Sequence, residues 1–336
     1  MSTGELHLLK TRKWLGRNET YIFLTLIVLN FIIHIVSGGL FFTPNNLVDL
    51  ARAVVVPAMF SLVSLLVVIS GGFDLSFPAV SAFSYSCTAW LFREWGWDGN
   101  LVVAFIIAGA IGLILGLLNG LIIANYRLPT MIVTLGTQTI FMGVHRGAFR
   151  MPQITTELAA TFKNLNESFL FEVFSSTGIR TAMPVTFLFL LVLIAIVYYV
   201  LRYTIFGRAL YAIGGNEVSA ERAGFNVKKV KISLYCLVGM LSGVIGIIRI
   251  SMSRQSLPQG LIGLEMTIIP AVILGGASIY GGEGTVLGTI LAITLIITLQ
   301  NSLVLLGISS YWKDFFTGML ILVGVAASAF RVHKDR

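Results

Sequence analysis

Apolar residues run along this chain in blocks of about twenty, the length that carries a helix across a bilayer, and polar residues collect between the blocks. The pattern predicts spans at 21–39, 50–70, 74–92, 101–124, 130–148, 183–201, 231–252, 260–279, 284–306 and 312–330. The alternation of apolar and polar positions that a membrane barrel needs is absent. The expected fold class is an all-α polytopic membrane protein with about ten transmembrane helices. A tail at 1–20, one transmembrane domain at 21–330 with a polar loop at 202–230, and a tail at 331–336 make up the chain.

The spacing carries weak internal symmetry. The ends of spans two to five recur 182 residues later as the ends of spans seven to ten, with Asn119 falling on Asn301 and Gly136 on Gly318. The copies are an odd number of spans apart, so they would lie in opposite orientations, an inverted repeat of the kind many transporters use. Glycines four apart (Gly112, Gly116 and Gly120; Gly239 and Gly243; Gly284 and Gly288) mark faces on which helix backbones approach closely.

Glycine and proline interrupt two apolar blocks. Gly71, Gly72 and Pro78 flank Asp74, and Asp74 and Ser76 are suited to cap a helix starting at Phe77. Pro270, Gly275, Gly276, Gly281 and Gly282 interrupt the second. Such breaks free backbone groups and suit a polar cavity or a surface. Asn119, Gln138, Gln300 and Asn301 are amides within or at the ends of spans. They either hydrogen-bond between helices or, with Asp74 and Ser76, line a path.

Composition agrees with the pattern: 56% of residues are hydrophobic and 11% charged, with a mean hydropathy of +0.90. A net charge of +8 would suggest nucleic acid only if the bases clustered on a soluble face. Instead they follow the membrane. Fourteen Lys and Arg fall in the termini, at Arg127 and in the 202–231 loop, and nine on the other side, which places both termini and that loop in the cytoplasm. The first twenty residues are too polar for a secretory signal, so the first apolar block is expected to be a retained span. Cys87 and Cys236 lie in apolar blocks as small hydrophobes. Neither a phosphate-binding GxxxxGK[ST] loop nor an HExxH or other clustered metal pattern occurs, so the chain is not expected to be an enzyme or to bind a metal or cofactor itself.

One polar stretch remains, TIFGRALYAIGGNEVSAERAGFNVKKVKI at Thr204–Ile232. Gly214 and Gly215 close one element, Asn216 is placed to cap a short helix over Glu217–Ala223, and Gly224 follows its end. Glu217 and Glu221 lie one turn apart, while Ala220 and Ala223 make a small-residue face. Two turns are unstable alone in water, so this helix must dock on something. It lacks the broad apolar face of a lipid-surface anchor and suits a cleft in a cytoplasmic partner.

Four stretches, in this order, resemble the membrane-spanning permease subunits of ATP-binding-cassette (ABC) importers for ribose, xylose, arabinose and galactose-like sugars. They are ISGGFDLS at Ile69–Ser76, GLLNGLIIANYRLPTMIVTLGT at Gly116–Thr137, TIFGRALYAIGGNEVSAERAG at Thr204–Gly224, and AVILGGASIYGGEGTVLGT at Ala271–Thr289. The resemblance implies that Gly214, Gly215, Asn216, Glu217, Ala220, Glu221, Ala223 and Gly224 form the coupling helix region that seats on a cytoplasmic ABC ATPase. It also implies ATP and Mg on that partner, a periplasmic sugar-binding protein, a homodimer or heterodimer of permeases, and a bacterial inner-membrane location. Phe77–Pro78 and Ile268–Pro270 depart from the small residues common in the family beside the breaks. Competing expectations are an ABC permease for a branched-chain amino acid or nucleoside and, from another class, a stand-alone secondary transporter. The scarcity of intramembrane carboxylates argues against the last.

Overall fold

The computed structural model describes residues 18–147, 158–175, 178 and 180–322. The two tails and the end of the last predicted span, including their share of the charge count, lie outside the described residues. Helices α1 (Asn18–Val36), α2 (Pro44–Ile69), α3 (Phe77–Glu94), α4 (Leu101–Tyr126) and α5 (Thr130–Gly147) follow the first five predicted spans closely. After a short helix, α6 (Ala160–Glu167), an antiparallel hairpin forms from β1 (Phe169–Phe174) and β2 (Arg180–Pro184). Next come α7 (Thr186–Tyr203), α8 (Ile205–Gly215), α9 (Glu217–Arg222), α10 (Val227–Ser253), α11 (Glu265–Leu274), α12 (Val286–Leu305) and a helix, α13, over 313–322.

Among the described residues six helices (α1, α2, α4, α7, α10 and α12) are long and apolar enough to cross a membrane. α3 and α5 are shorter and carry more polar groups, at 18 residues each. Over the expected span at 260–279 the apolar helical segment is shorter, Gln259–Leu274, a 3-10 turn followed by α11, which has 10 residues. The inverted repeat is also uneven. α2 and α10 match in length at 26 and 27 residues, whereas α3 and α11 have 18 and 10.

Burial follows apolar pattern. α2 is apolar on all sides and runs through the middle of the bundle, with every residue from Ala58 to Ile69 buried. α1, by contrast, is apolar and largely exposed, a lipid-facing helix packed on α12. The tightest seam joins α4 to α10. A Cβ on Gly112 would strike the carbonyl of Gly239, one on Gly116 that of Tyr235, and one on Gly243 that of Ala108. The glycine spacing therefore does what it predicts, and backbone meets backbone with no side chain between.

Candidate functional site

The 204–232 stretch folds as its punctuation dictates. Thr204 caps α8 by accepting the N–H of Gly207 at 3.0 Å, and α8 runs to Gly215. Asn216 then turns extended and its side chain accepts the N–H of Ser219 at 2.8 Å, capping α9. At the other end Phe225 N–H donates to Ala220 O and Gly224 N–H to Glu221 O, with Gly224 at φ +92°. That pair of bonds is a Schellman motif, and its positive φ is why glycine stands there.

Part of this helix faces its own chain. Ala220 is only 2% exposed and packs with Ile213 of α8 and Val227 of α10, so it anchors α9 rather than presenting it. Glu217 is tied to Lys231 at 2.7 Å, and Glu221 lies 3.6 Å from Arg127 at the end of α4. Val218, Ser219, Glu221, Arg222, Ala223 and Gly224 remain exposed. The docking that a two-turn helix requires is thus met by one face, which leaves the other free.

Behind α9 three motif segments meet. The N–H of Gly282 donates to Ile69 O at 2.8 Å, linking the 275–285 loop to the end of α2. A Cβ on Gly214 would strike both of these groups. One on Gly281 would lie 2.6 Å from Gly71 Cα, and one on Gly282 would lie 2.9 Å from Gly215 Cα. Gly71, Gly281 and Gly282 also sit at φ +80°, +88° and +76°, open to glycine with little strain. Tyr211 of α8 closes the junction by donating to Gly284 O at 2.8 Å. Burial raises the pKa of this phenol above its usual value, so it stays a donor.

Sequence reasoning treated these glycine pairs as separate breaks; the structure makes them one backbone junction beneath α9. Gly72 stands at its edge, against Thr130 and Tyr235. Two of the proposed breaks behave otherwise. Pro78 occupies the first turn of α3, where its missing N–H costs nothing. Pro270 lies inside continuous α11, which ends at Gly275, with Gly276 at φ +94° starting the loop. In so short a helix the proline forfeits a single interior bond.

The six path candidates fall in three places. Asp74, 3% exposed, accepts both the N–H and the hydroxyl of Ser76 at 2.7 Å, and Asn119 donates to Ser76 Oγ at 2.8 Å. Ser76 is the N-cap residue of α3 by position, yet its side chain makes no cap bond because it is turned back to Asp74. Thr130 and Thr134 of α5 accept the N–H groups of Phe73 and Leu75, at 2.8 and 3.1 Å. Gln138, one turn further along α5, donates to Glu265 of α11 at 2.9 Å, and the other Glu265 oxygen accepts Gly263 N–H at 3.0 Å. Gln300 donates to Thr317 at 3.0 Å and ties α12 to α13. Asn301 is half-buried on α12.

Thr130, Thr134 and Glu265 were not foreseen. Glu265 had a signal, a carboxylate at the edge of an apolar block. With Asp74 it gives two carboxylates buried within the bundle, each held by hydrogen bonds.

Comparison with known proteins decides the class. A family profile described as "Branched-chain amino acid transport system / permease component" matches residues 46–325. The ribose import permease protein RbsC of Escherichia coli (strain K12) is 32% identical over 315 residues, covering 94% of each chain. RbsC of Bacillus subtilis (strain 168) is 34% identical over 303 residues, 90% of each. The L-arabinose ABC transporter permease protein AraH of Azospirillum brasilense is 28% identical over 297 residues, 88% of this chain and 83% of the relative. No solved structure matches. Spanned by that profile and matched almost end to end by import permeases, the chain belongs to this permease-component family and is a membrane-spanning permease subunit of an ABC importer.

Proposed function

We propose that this permease subunit forms, with a second copy or a related permease, the translocation path for a monosaccharide. The observation that carries the substrate class is the match to RbsC along nearly the whole chain, together with the arabinose permease. Although the family description names branched-chain amino acids, these full-length relatives carry ribose and arabinose in their names.

Energy enters from outside the chain, from ATP and Mg held by a cytoplasmic ATPase subunit. The exposed face of α9, around Val218, Ser219, Arg222 and Ala223, seats on that subunit. Asn216, Glu217, Ala220 and Gly224 hold the helix in place. Both termini and α9 face the cytoplasm, in keeping with the excess of Lys and Arg there. The hairpin of β1 and β2 then faces the periplasm, where a sugar-binding protein delivers its load.

ATP binding and hydrolysis favour different access states, as a driven shift of populations requires. Uptake of labelled ribose and arabinose into cells carrying the complete transport system tests the reading. Uptake should vanish on deletion of this chain and on ATP depletion. Uptake of leucine but of neither sugar would overturn the monosaccharide assignment.

A further inference from the structure

The glycine junction borders a half-open cavity of about 170 Å³ between α9 and the bundle. Pockets that hold drug-sized ligands run to ~300–1,000 Å³, so this one has room for something the size of a single small sugar. Four hydroxyl groups, those of Ser70, Thr130, Tyr235 and Tyr280, line it together with the Glu217–Lys231 ion pair. The lining is dense in donors and acceptors and carries no net charge. Tyr280 is 90% exposed at the mouth and offers an aromatic face, which suits the C–H side of a sugar ring. Tyr235 is 1% exposed, and its hydroxyl lies beside Thr130 and meets no other hydrogen-bonding side chain among the described residues. A buried hydroxyl with one poorly aligned partner gains from a ligand hydroxyl that aligns better.

We propose that this cavity is a binding site for a neutral monosaccharide on the α9 side of the bundle, through which accumulated sugar slows its own import. The inference rests on the monosaccharide-import reading above. The cavity exists only while the ends of α2 and α8 and the 275–285 loop abut. A ligand in it therefore favours that arrangement and opposes any step that separates the three segments. Because α9 follows directly from α8, this is the joint through which movement of α9 reaches α2 and α11.

The test uses right-side-out membrane vesicles that hold the complete complex and internal ATP, preloaded with D-ribose, L-arabinose, sucrose or buffer. Initial uptake of external labelled ribose and arabinose is then measured. Preloading with a monosaccharide should slow wild-type uptake at least twofold, and sucrose, being too large, should not. Tyr235→Phe removes one hydroxyl, and Tyr280→Ala removes the aromatic face at the mouth, from a side chain that is 90% exposed. Both should keep the rate of empty vesicles and lose the inhibition. In parallel, binding of D-ribose and L-arabinose to the purified chain in nanodiscs, read by saturation-transfer NMR, should weaken about three- to tenfold in Tyr235→Phe, as loss of one hydrogen bond predicts. Wild-type uptake indifferent to preloading, or both variants inhibited as strongly as wild type, overturns the site while leaving the import reading intact. Empty wild-type vesicles that take up neither monosaccharide contradict the import reading, and this inference with it.

Discussion

Gly214 and Gly215 are neighbours in sequence with opposite surroundings. A Cβ at Gly214 meets Ile69 O and the Gly282 nitrogen, whereas at Gly215 it meets nothing within 4 Å. Gly214→Ala should therefore cost about 1–3 kcal/mol through overpacking and lower the melting temperature in detergent. Gly215→Ala should leave that temperature unchanged or raise it slightly, since a helix end gains from losing glycine's freedom. Equal effects at the two positions would count against the junction. At this scale the sequence was legible where local chemistry decides, as in the Asn216 cap and the αL glycine at 224. It was not legible where a contact spans the chain. Nothing local to Glu265 announces Gln138, 127 residues away, and the inward turn of Ala220 depends on where Ile213 and Val227 lie.

At the scale of the element, α9 owes its shape to its own caps and its place to α8 and α10. Asn216→Ala should cost about 1 kcal/mol of helix stability, seen as faster amide exchange at Ser219 and its neighbours. The role of Glu217 is open to a sharper test. If its main partner is Lys231, then Glu217→Lys should impair transport and the double variant Glu217→Lys, Lys231→Glu should recover much of it. A double variant as defective as the single one would mean that Glu217 chiefly meets another polypeptide. Helix boundaries were readable from apolar run length for α1 to α5, because a bilayer leaves few other solutions. α11 was over-read for the same reason: apolar character continues through 260–279 although Gly275 and Gly276 stop the helix. The hairpin of β1 and β2 was missed between spans, where membrane rules carry no information.

For the whole molecule, seams of small residues and buried polar ties set how the helices are arranged. The α4–α10 seam has no room for a side chain, so Gly239→Leu should prevent assembly altogether, read as loss of the folded chain from membranes. Exposed apolar faces such as that of α1 are the complement, surfaces meant for lipid or other subunits. Hydropathy made the class of protein plain and the four motif stretches made the family plain. What neither revealed is that three of those stretches converge beneath one short helix. Their backbones abut at Ile69, Gly71, Gly214, Gly281 and Gly282.

The direct test replaces Ala223 by Cys in a chain whose Cys87 and Cys236 have been changed to Ala, and cross-links it in native membranes. Phe174→Cys on the hairpin, 64% exposed at the native residue, serves as the control at the opposite end. Ala223→Cys should capture a polypeptide bearing a phosphate-binding ATPase motif, and Phe174→Cys should not. Capture of that ATPase at the hairpin alone, or its presence in the membrane with no adduct at Ala223→Cys, would contradict the seating of α9 on it.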